Sequence, residues 1–173
     1  MFKGVVLGVA LTLAVALIGA YSVLRSGLIP ANADATPGRL ENWIAQTSLE
    51  ATLRRDAPKG ENPVALTDIN LDLGVPLFSR HCAGCHGSAK GAATASPLAK
   101  GLYPRPPQLA TDGVEGDPEG YTFWKIKHGI RLTGMPSFGH TLSDQQIWTL
   151  VLFLNHMDKL PLGAQQMWLR VRN

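Results

Sequence analysis

The sequence predicts an all-α fold in which helices are joined by long loops, with one transmembrane helix at the N-terminus. Apolar residues recur at helical spacing, and residue types that start and stop helices bracket these runs. The segments 87–118 and 129–141 are rich in Gly and Pro and lack the alternation of a strand. Loops of this length in a domain of ordinary size need a bound group to wrap around.

The composition excludes several classes of protein. With 173 residues, the chain fits one domain plus an appendage, and a hydrophobic content of 45% excludes disorder throughout. Two cysteines are too few for a small protein held together by disulfides. A formal net charge of +3 is too small to indicate nucleic-acid binding, so no nucleic-acid partner is expected.

The N-terminal segment 1–25 is predicted to be a transmembrane anchor or an uncleaved signal. No charged residue lies between Gly4 and Leu24, and as a helix this run would be about 31 Å long, enough to cross a bilayer. A cleaved secretory signal is the alternative, with a cleavage site at Ala31-Asn32-Ala33. The apolar run is longer than a signal core, which favours the anchor. Under either interpretation, the rest of the chain is expected to be exported across the membrane.

Residues 26–67 are predicted to form a linker that carries one amphipathic helix. Thr36 and Pro37 are typical of an N-cap followed by Pro at the first helical position, and the helix should extend to about Arg55. Its apolar face is formed by Leu40, Trp43, Ile44, Thr47 and Ala51. This face is expected to pack on the domain, and docking on a partner is the alternative.

The compact domain is expected at residues 68–162, followed by a C-terminal tail at 163–173. A short helix should begin at Gly74 and end at Cys82. Asp117 should cap a second helix, which stops at Gly129. Ser143 and Gln146 form a capping box for the last helix, whose buried stripe is predicted to be Ile147, Leu150, Val151 and Leu154.

Both cysteines lie in the motif Cys82-Ala83-Gly84-Cys85-His86, which is the attachment signature of a c-type haem. In a helical turn the two sulfurs project to the same side and can reach both vinyl groups of one porphyrin. His86 then follows as an axial ligand of the iron. The alternatives are weaker, because a zinc site needs four ligands, a dithiol redox pair needs a βαβ context, and a disulfide here would close a tiny, strained loop.

A haem that carries electrons needs a second axial ligand. The candidates are Met135, Met157, Met167, His81, His128, His140 and His156. Met135 is preferred, because it lies in the loop Thr133-Gly134-Met135-Pro136 between two predicted helices. His140 is the main rival, since it lies in the same loop.

The segment from Gly74 to Leu160 resembles class I monohaem cytochrome c, of the membrane-anchored bacterial type. The residues that carry the resemblance are GVPLFSRHCAGCHG at 74–87, LTGMPSFG at 132–139 and SDQQIWTLVLFL at 143–154. The resemblance implies one covalently attached haem c, with His86 and Met135 on the iron and with first and last helices that cross. It also implies that a backbone carbonyl at 103–107 accepts a hydrogen bond from His86. Arg105 and Trp124 become candidate donors to the haem propionates, and Gly74 is expected to meet Trp148 or Leu152 at the crossing.

The predicted function is one-electron transfer by a tethered electron carrier rather than by an enzyme. The haem domain is expected in the periplasm of a bacterium, held by a single pass through the inner membrane. Its expected partner is a membrane redox complex: an oxidase, a quinol-oxidising complex or a dehydrogenase. The chain could relay electrons between such complexes or be a fixed subunit of one. The alternative is an open-site haem protein, either a peroxidase or a gas sensor, in which Met135 does not bind the iron.

Overall fold

A computed structural model describes residues 2–89, 96–114 and 116–172. Within these ranges the chain forms helices and no strands, which confirms the all-α prediction. The helices are α1 (Phe2–Arg25), α2 (Arg39–Asp56), α3 (Asp68–His81), α4 (Ala83–His86), α5 (Pro97–Gly101), α6 (Leu109–Asp112), α7 (Glu119–His128), α8 (Asp144–Asn155) and α9 (Leu162–Trp168). The chain divides into two compact units, Met1–Ala35 and Thr36–Asn173.

Helix α1 forms the N-terminal unit, and every one of its residues is exposed. The predicted helix at 4–24 is therefore confirmed. The observed helix begins two residues before the predicted start and ends one residue after the predicted end. Among the described residues it is the one helix long and apolar enough to cross a membrane. Its 24 residues span about 36 Å at the usual helical rise.

Helix α3 begins at Asp68, six residues before the predicted start at Gly74. The hydroxyl of Thr67 caps it by accepting a hydrogen bond from the backbone N–H of Asn70 at 3.3 Å. The predicted start was wrong: the chain is already helical from Asp68, and both Gly74 and Pro76 lie inside the helix. The packing of the helix compensates for the hydrogen bond that Pro76 cannot donate.

The crossing of α3 and α8 explains the glycine in α3. A Cβ atom at Gly74 would lie 2.4 Å from the Cβ of Phe153 and 3.2 Å from the backbone oxygen of Thr149. Only a residue without a side chain therefore allows the two helices to approach this closely. The expected close crossing is present, but the partner is Phe153 rather than Trp148 or Leu152.

Helix α8 is the centre of the core. The capping box is confirmed, since the Ser143 N–H donates to Gln146 Oε1 at 2.9 Å and the Gln146 N–H donates to Ser143 Oγ at 3.2 Å. The four residues of the predicted stripe are buried, and so are the remaining four residues between 147 and 154. The burial extends around the helix because α3 and α7 both pack against it and because Trp148 stacks on Phe123 at 4.2 Å between centroids.

The segment 163–173 is not a separate tail. It begins within α9, where Ala164 and Trp168 are buried, and Val171 beyond the helix is buried as well. The Trp168 ring packs edge-on against Phe78 at 5.2 Å and against Phe153 at 5.5 Å between centroids. The boundary at residue 162 therefore cuts through the core of the domain.

Helix α2 belongs to the same compact unit as the domain, but it packs through the face opposite to the predicted one. Its N-cap is Gly38 rather than Thr36, so the helix starts two residues later than expected. Leu53 is its buried residue, and Leu49 and Thr52 beside it are half-buried. The predicted apolar face is exposed to solvent, because that face points away from α7.

Candidate functional site

The two cysteines lie at a junction between two helices. Cys82 ends α3 and starts α4, and its carbonyl accepts from the N–H of Cys85 at 3.1 Å and of His86 at 2.9 Å. These two bonds wind the motif into a single helical turn. The buried side chain of Ala83 fixes this turn against the core. The motif therefore forms the helical turn that the sequence predicted.

The thiol of Cys82 lies among packed apolar side chains. The two cysteines are not joined to each other, so the disulfide alternative is not seen. Cys82 packs against the hydrophobic core, and burial raises the pKa of its thiol to about 12. A thiol with that pKa stays protonated at neutral pH. Its neutral form is unlike the thiolate of a reactive redox pair.

The imidazole of His86 is held by the backbone of a distant loop. Its Nδ1 donates to the carbonyl oxygen of Pro107 at 2.9 Å, which confirms the expected acceptor in the 103–107 stretch. Because a carbonyl only accepts, the proton is on Nδ1 and the lone pair is on Nε2. Burial lowers the pKa of His86, which favours this neutral, ligating form.

Gln108 joins the cysteine turn to the loop that holds His86, and no motif or spacing in the sequence pointed to it. Its buried Nε2 donates to the carbonyl of Cys85 at 3.1 Å and to that of Pro106 at 3.2 Å. Its Oε1 lies against Gly87, where a Cβ would approach to 2.5 Å and where φ is +80°. Glycine is therefore required directly after the motif, both for its conformation and for this contact.

We expect Gln108→Leu to destabilise the domain by about 1–3 kcal/mol, because the part-buried carbonyls of Cys85 and Pro106 lose their donor. Denaturant unfolding of the ferric protein, followed by absorbance and circular dichroism, measures this loss. Gln166→Leu is the matched control, since Gln166 is exposed, and it should change the free energy of unfolding by no more than about 0.5 kcal/mol. Equal effects of the two changes would contradict the bridging role of Gln108.

Helix α7 ends at the loop that carries Met135. Its N-cap is Pro118 rather than the predicted Asp117, because the Asp117 carboxylate binds Lys125 at 2.9 Å instead. The predicted stop at Gly129 is confirmed, with φ at +68°. A Cβ at Gly129 would lie 2.6 Å from the carbonyl carbon of Pro136, so the glycine lets the two ends of the loop meet.

Hydrogen bonds inside this loop fix the backbone of Met135. Its carbonyl accepts from the Ile130 N–H at 3.2 Å, and its N–H donates to Thr133 Oγ1 at 3.1 Å. The Met135 side chain is half-buried and packs on the same hydrophobic core as Cys82. Gly134 lies against Leu102, just beyond α5.

Helix α5 approaches the cysteine turn and the Met135 loop. Its N-cap, Ser96, donates through Oγ to the carbonyl of Gly84, while Leu102 at its other end contacts Gly134. Phe138 of the loop lies 6.1 Å from the ring of His81, the residue before Cys82. The structure thus brings the loop of Met135 next to the segments that flank the motif.

The other candidate ligands have different surroundings. His128 and His140 are exposed. His156 donates from Nδ1 to the Leu152 carbonyl at 2.8 Å, at the end of α8. His81 is half-buried against Phe138 rather than facing solvent. Met157 packs on the core, and Met167 is 37% exposed on α9.

Neither of the two candidate donors to the haem propionates is fully buried. Arg105 is exposed and Trp124 is half-buried, with its ring 4.9 Å from that of His128. The donor set as a whole fits a covalently bound porphyrin: two thiols on one helical turn, an imidazole with Nε2 available, and a half-buried thioether on a fixed loop.

The part of the chain that contains this site matches a known protein family. Residues 70–154, which are 85 of the 173 residues, match the model of the family described as cytochrome C oxidase, cbb3-type, subunit III. The match begins within α3 and ends within α8, so it contains the cysteine turn, the 103–107 stretch and the Met135 loop. No curated protein matches the chain significantly.

Proposed function

We propose that the protein is a membrane-tethered electron carrier with His/Met-ligated iron, built on a c-type monohaem cytochrome domain at residues 70–154 that carries a covalently attached haem c. It transfers one electron at a time between redox complexes on the periplasmic side of a bacterial inner membrane. The observation that carries the proposal is the bond from His86 Nδ1 to Pro107 O, because it leaves Nε2 free beside the two cysteines.

We assign Cys82 and Cys85 to the two thioether bonds, and His86 and Met135 to the iron. The haem supplies a one-electron Fe(III)/Fe(II) couple, whose potential a Met ligand raises. Pro107 orients the His86 ring and increases its basicity by accepting the Nδ1 proton. The bonded loop around Met135 supports a fixed thioether, which would keep small ligands from the iron.

Helix α1 supports the membrane part of the proposal. It is uncharged from Gly4 to Leu24 and long enough to span the hydrocarbon core. A tether confines the haem near the membrane and raises its effective concentration at integral partners. The matching family is named as a subunit of an oxidase. An oxidase is therefore a candidate partner, together with a quinol-oxidising complex or a dehydrogenase.

Two measurements on the full-length protein test the electron-carrier assignment. After reduction, the purified protein should not bind carbon monoxide, because both axial positions are filled. In respiratory membranes the reduced haem should be oxidised rapidly when oxygen is added. The purified protein alone is the control, and its oxidation by oxygen should be much slower. Carbon monoxide binding or peroxidase turnover by the purified protein would instead favour the open-site alternative.

The N-terminus of the mature protein tests the anchor. An uncleaved anchor should leave the protein in the membrane pellet after an alkaline wash, with a sequence that still begins at residue 1 or 2. A mature protein that begins at Asp34 would show that the segment is a cleaved signal. The haem domain would still be exported, but the tether would be absent.

A further inference from the structure

The first half of α2 carries an apolar stripe that the domain does not cover. We call Leu40, Trp43 and Ile44 the α2 stripe; their exposed fractions are 68%, 62% and 53%. The spacing of these residues places them on one face of the helix. Three large apolar side chains on one exposed face are typical of a docking surface.

The stripe is exposed because α2 packs on the domain through its opposite face. Leu53 is 2% exposed, and Ala57 directly after the helix is 4% exposed. A Cβ at Gly120 of α7 would collide with the carbonyl of Pro58, so the chain that leaves α2 lies directly on α7. The helix is therefore already fixed to the domain, and its apolar face remains available for something else.

We propose that the α2 stripe docks on the surface of the lipid bilayer that α1 spans. This inference rests on the proposed membrane tether. Thirteen residues separate Arg25, the end of α1, from Arg39, the start of α2. Such a segment reaches at most about 45 Å. The stripe begins one residue later, so the bilayer is the apolar partner that is always within reach.

The residue types of this face fit a lipid surface. Tryptophan is enriched at the membrane–water interface, where its ring lies at the level of the headgroups. Along the same face, Thr47 and Ala51 lead to Arg54 and Arg55 in the last turn. The exposed ion pairs of these arginines with Glu50 and Asp56 are weak enough for headgroups to compete with them. Apolar residues followed by arginines on one helix face match an acyl boundary with anionic headgroups above it.

Docking through α2 would also orient the haem domain. The carboxylate of Glu41, in the first turn of α2, accepts a hydrogen bond from the Tyr103 hydroxyl at 2.5 Å. Tyr103 begins the stretch that ends at Pro107, whose carbonyl holds His86. If α2 holds the domain on the bilayer, the domain has a fixed orientation. The same side of it then always faces integral membrane partners.

Site-directed spin labelling of the full-length haem protein tests this inference. The protein is placed in vesicles of phosphatidylcholine and phosphatidylglycerol, with a nitroxide on Ile44→Cys. Gln46→Cys, an exposed position of α2 that lies away from the stripe, is the matched control, and Val15→Cys in α1 reports the anchor. The native cysteines are consumed by the haem, so only the introduced thiol is labelled.

We expect the label at position 44 to collide with oxygen several-fold more often than with a water-soluble nickel chelate, as in lipid. The label at position 46 should show the reverse. Adding Leu40→Gln and Trp43→Gln should return position 44 to the behaviour of position 46, and an unchanged absorption spectrum would show that the domain remains folded.

The outcomes separate this inference from the proposed function. If position 15 is in hydrocarbon while positions 44 and 46 are equally accessible to the chelate, the tether stands and the inference is wrong. If position 15 is in water, the proposed anchor is wrong, and protection at position 44 by lipid would still support docking of α2. Protection at position 44 that appears only in native membranes would overturn the inference in favour of a protein partner.

Discussion

Replacing Met135 with alanine should leave the haem attached but open one face of the iron. The two thioether bonds and His86 do not depend on this side chain, so the protein should keep its colour and its mass with haem. The apparent affinity for carbon monoxide or imidazole should rise by on the order of 10²- to 10⁴-fold, the advantage that a tethered ligand has over a free one. The midpoint potential should fall, because thioether ligation raises it.

Ligand titrations of the ferrous and ferric protein, together with a redox titration, measure these changes. Met167→Ala is the matched control, because Met167 lies on α9 and is 37% exposed; its ligand affinity should equal that of the unmodified protein. His140→Ala tests the rival ligand. If His140→Ala opens the iron and Met135→Ala does not, the assignment of the sixth ligand is wrong.

Replacing Trp168 with alanine should lower the free energy of unfolding by about 3–5 kcal/mol, as expected for the loss of a large buried aromatic side chain. The ring is 6% exposed and contacts both Phe78 of α3 and Phe153 of α8. Its removal therefore leaves a cavity at the place where the first and last helices of the cytochrome domain meet.

Denaturant unfolding, followed by haem absorbance and by far-ultraviolet circular dichroism, measures the loss. Leu169→Ala is the control one residue further along, because Leu169 is 60% exposed; its effect should stay within about 0.5 kcal/mol. A change below about 1 kcal/mol for Trp168→Ala would mean that α9 contributes little to the core, as the sequence-based boundary at residue 162 implied.

The features that the sequence predicted correctly are those with a local chemical cause. The capping box of α8 needs only Ser143 and Gln146, and the end of α7 needs only Gly129, whose φ is positive. The turn at Cys82–His86 likewise follows from the spacing of its own residues. The carbonyl partner of His86 is a long-range contact, but it came from the family resemblance and not from the residues alone.

The features that the sequence did not predict depend on what lies across the fold. Gly74 looks like a helix breaker until Phe153 is known to lie against it. The face of α2 was assigned from its apolar residues, yet the domain binds the other face around Leu53. Gln108 resembles any polar loop residue, because its two acceptors, at Cys85 and Pro106, come together only in the folded chain.

Helix α9 has a practical consequence for anyone who excises the cytochrome module at the limits of its family match. A fragment of residues 70–154 would lack α9, the N-cap Thr67 and the first two residues of α3. The aromatic pair Phe78 and Phe153 would then face water, on a surface that Trp168 normally seals. Such a fragment should aggregate or dimerise. A transfer of the module into another protein should therefore include all of residues 67–172.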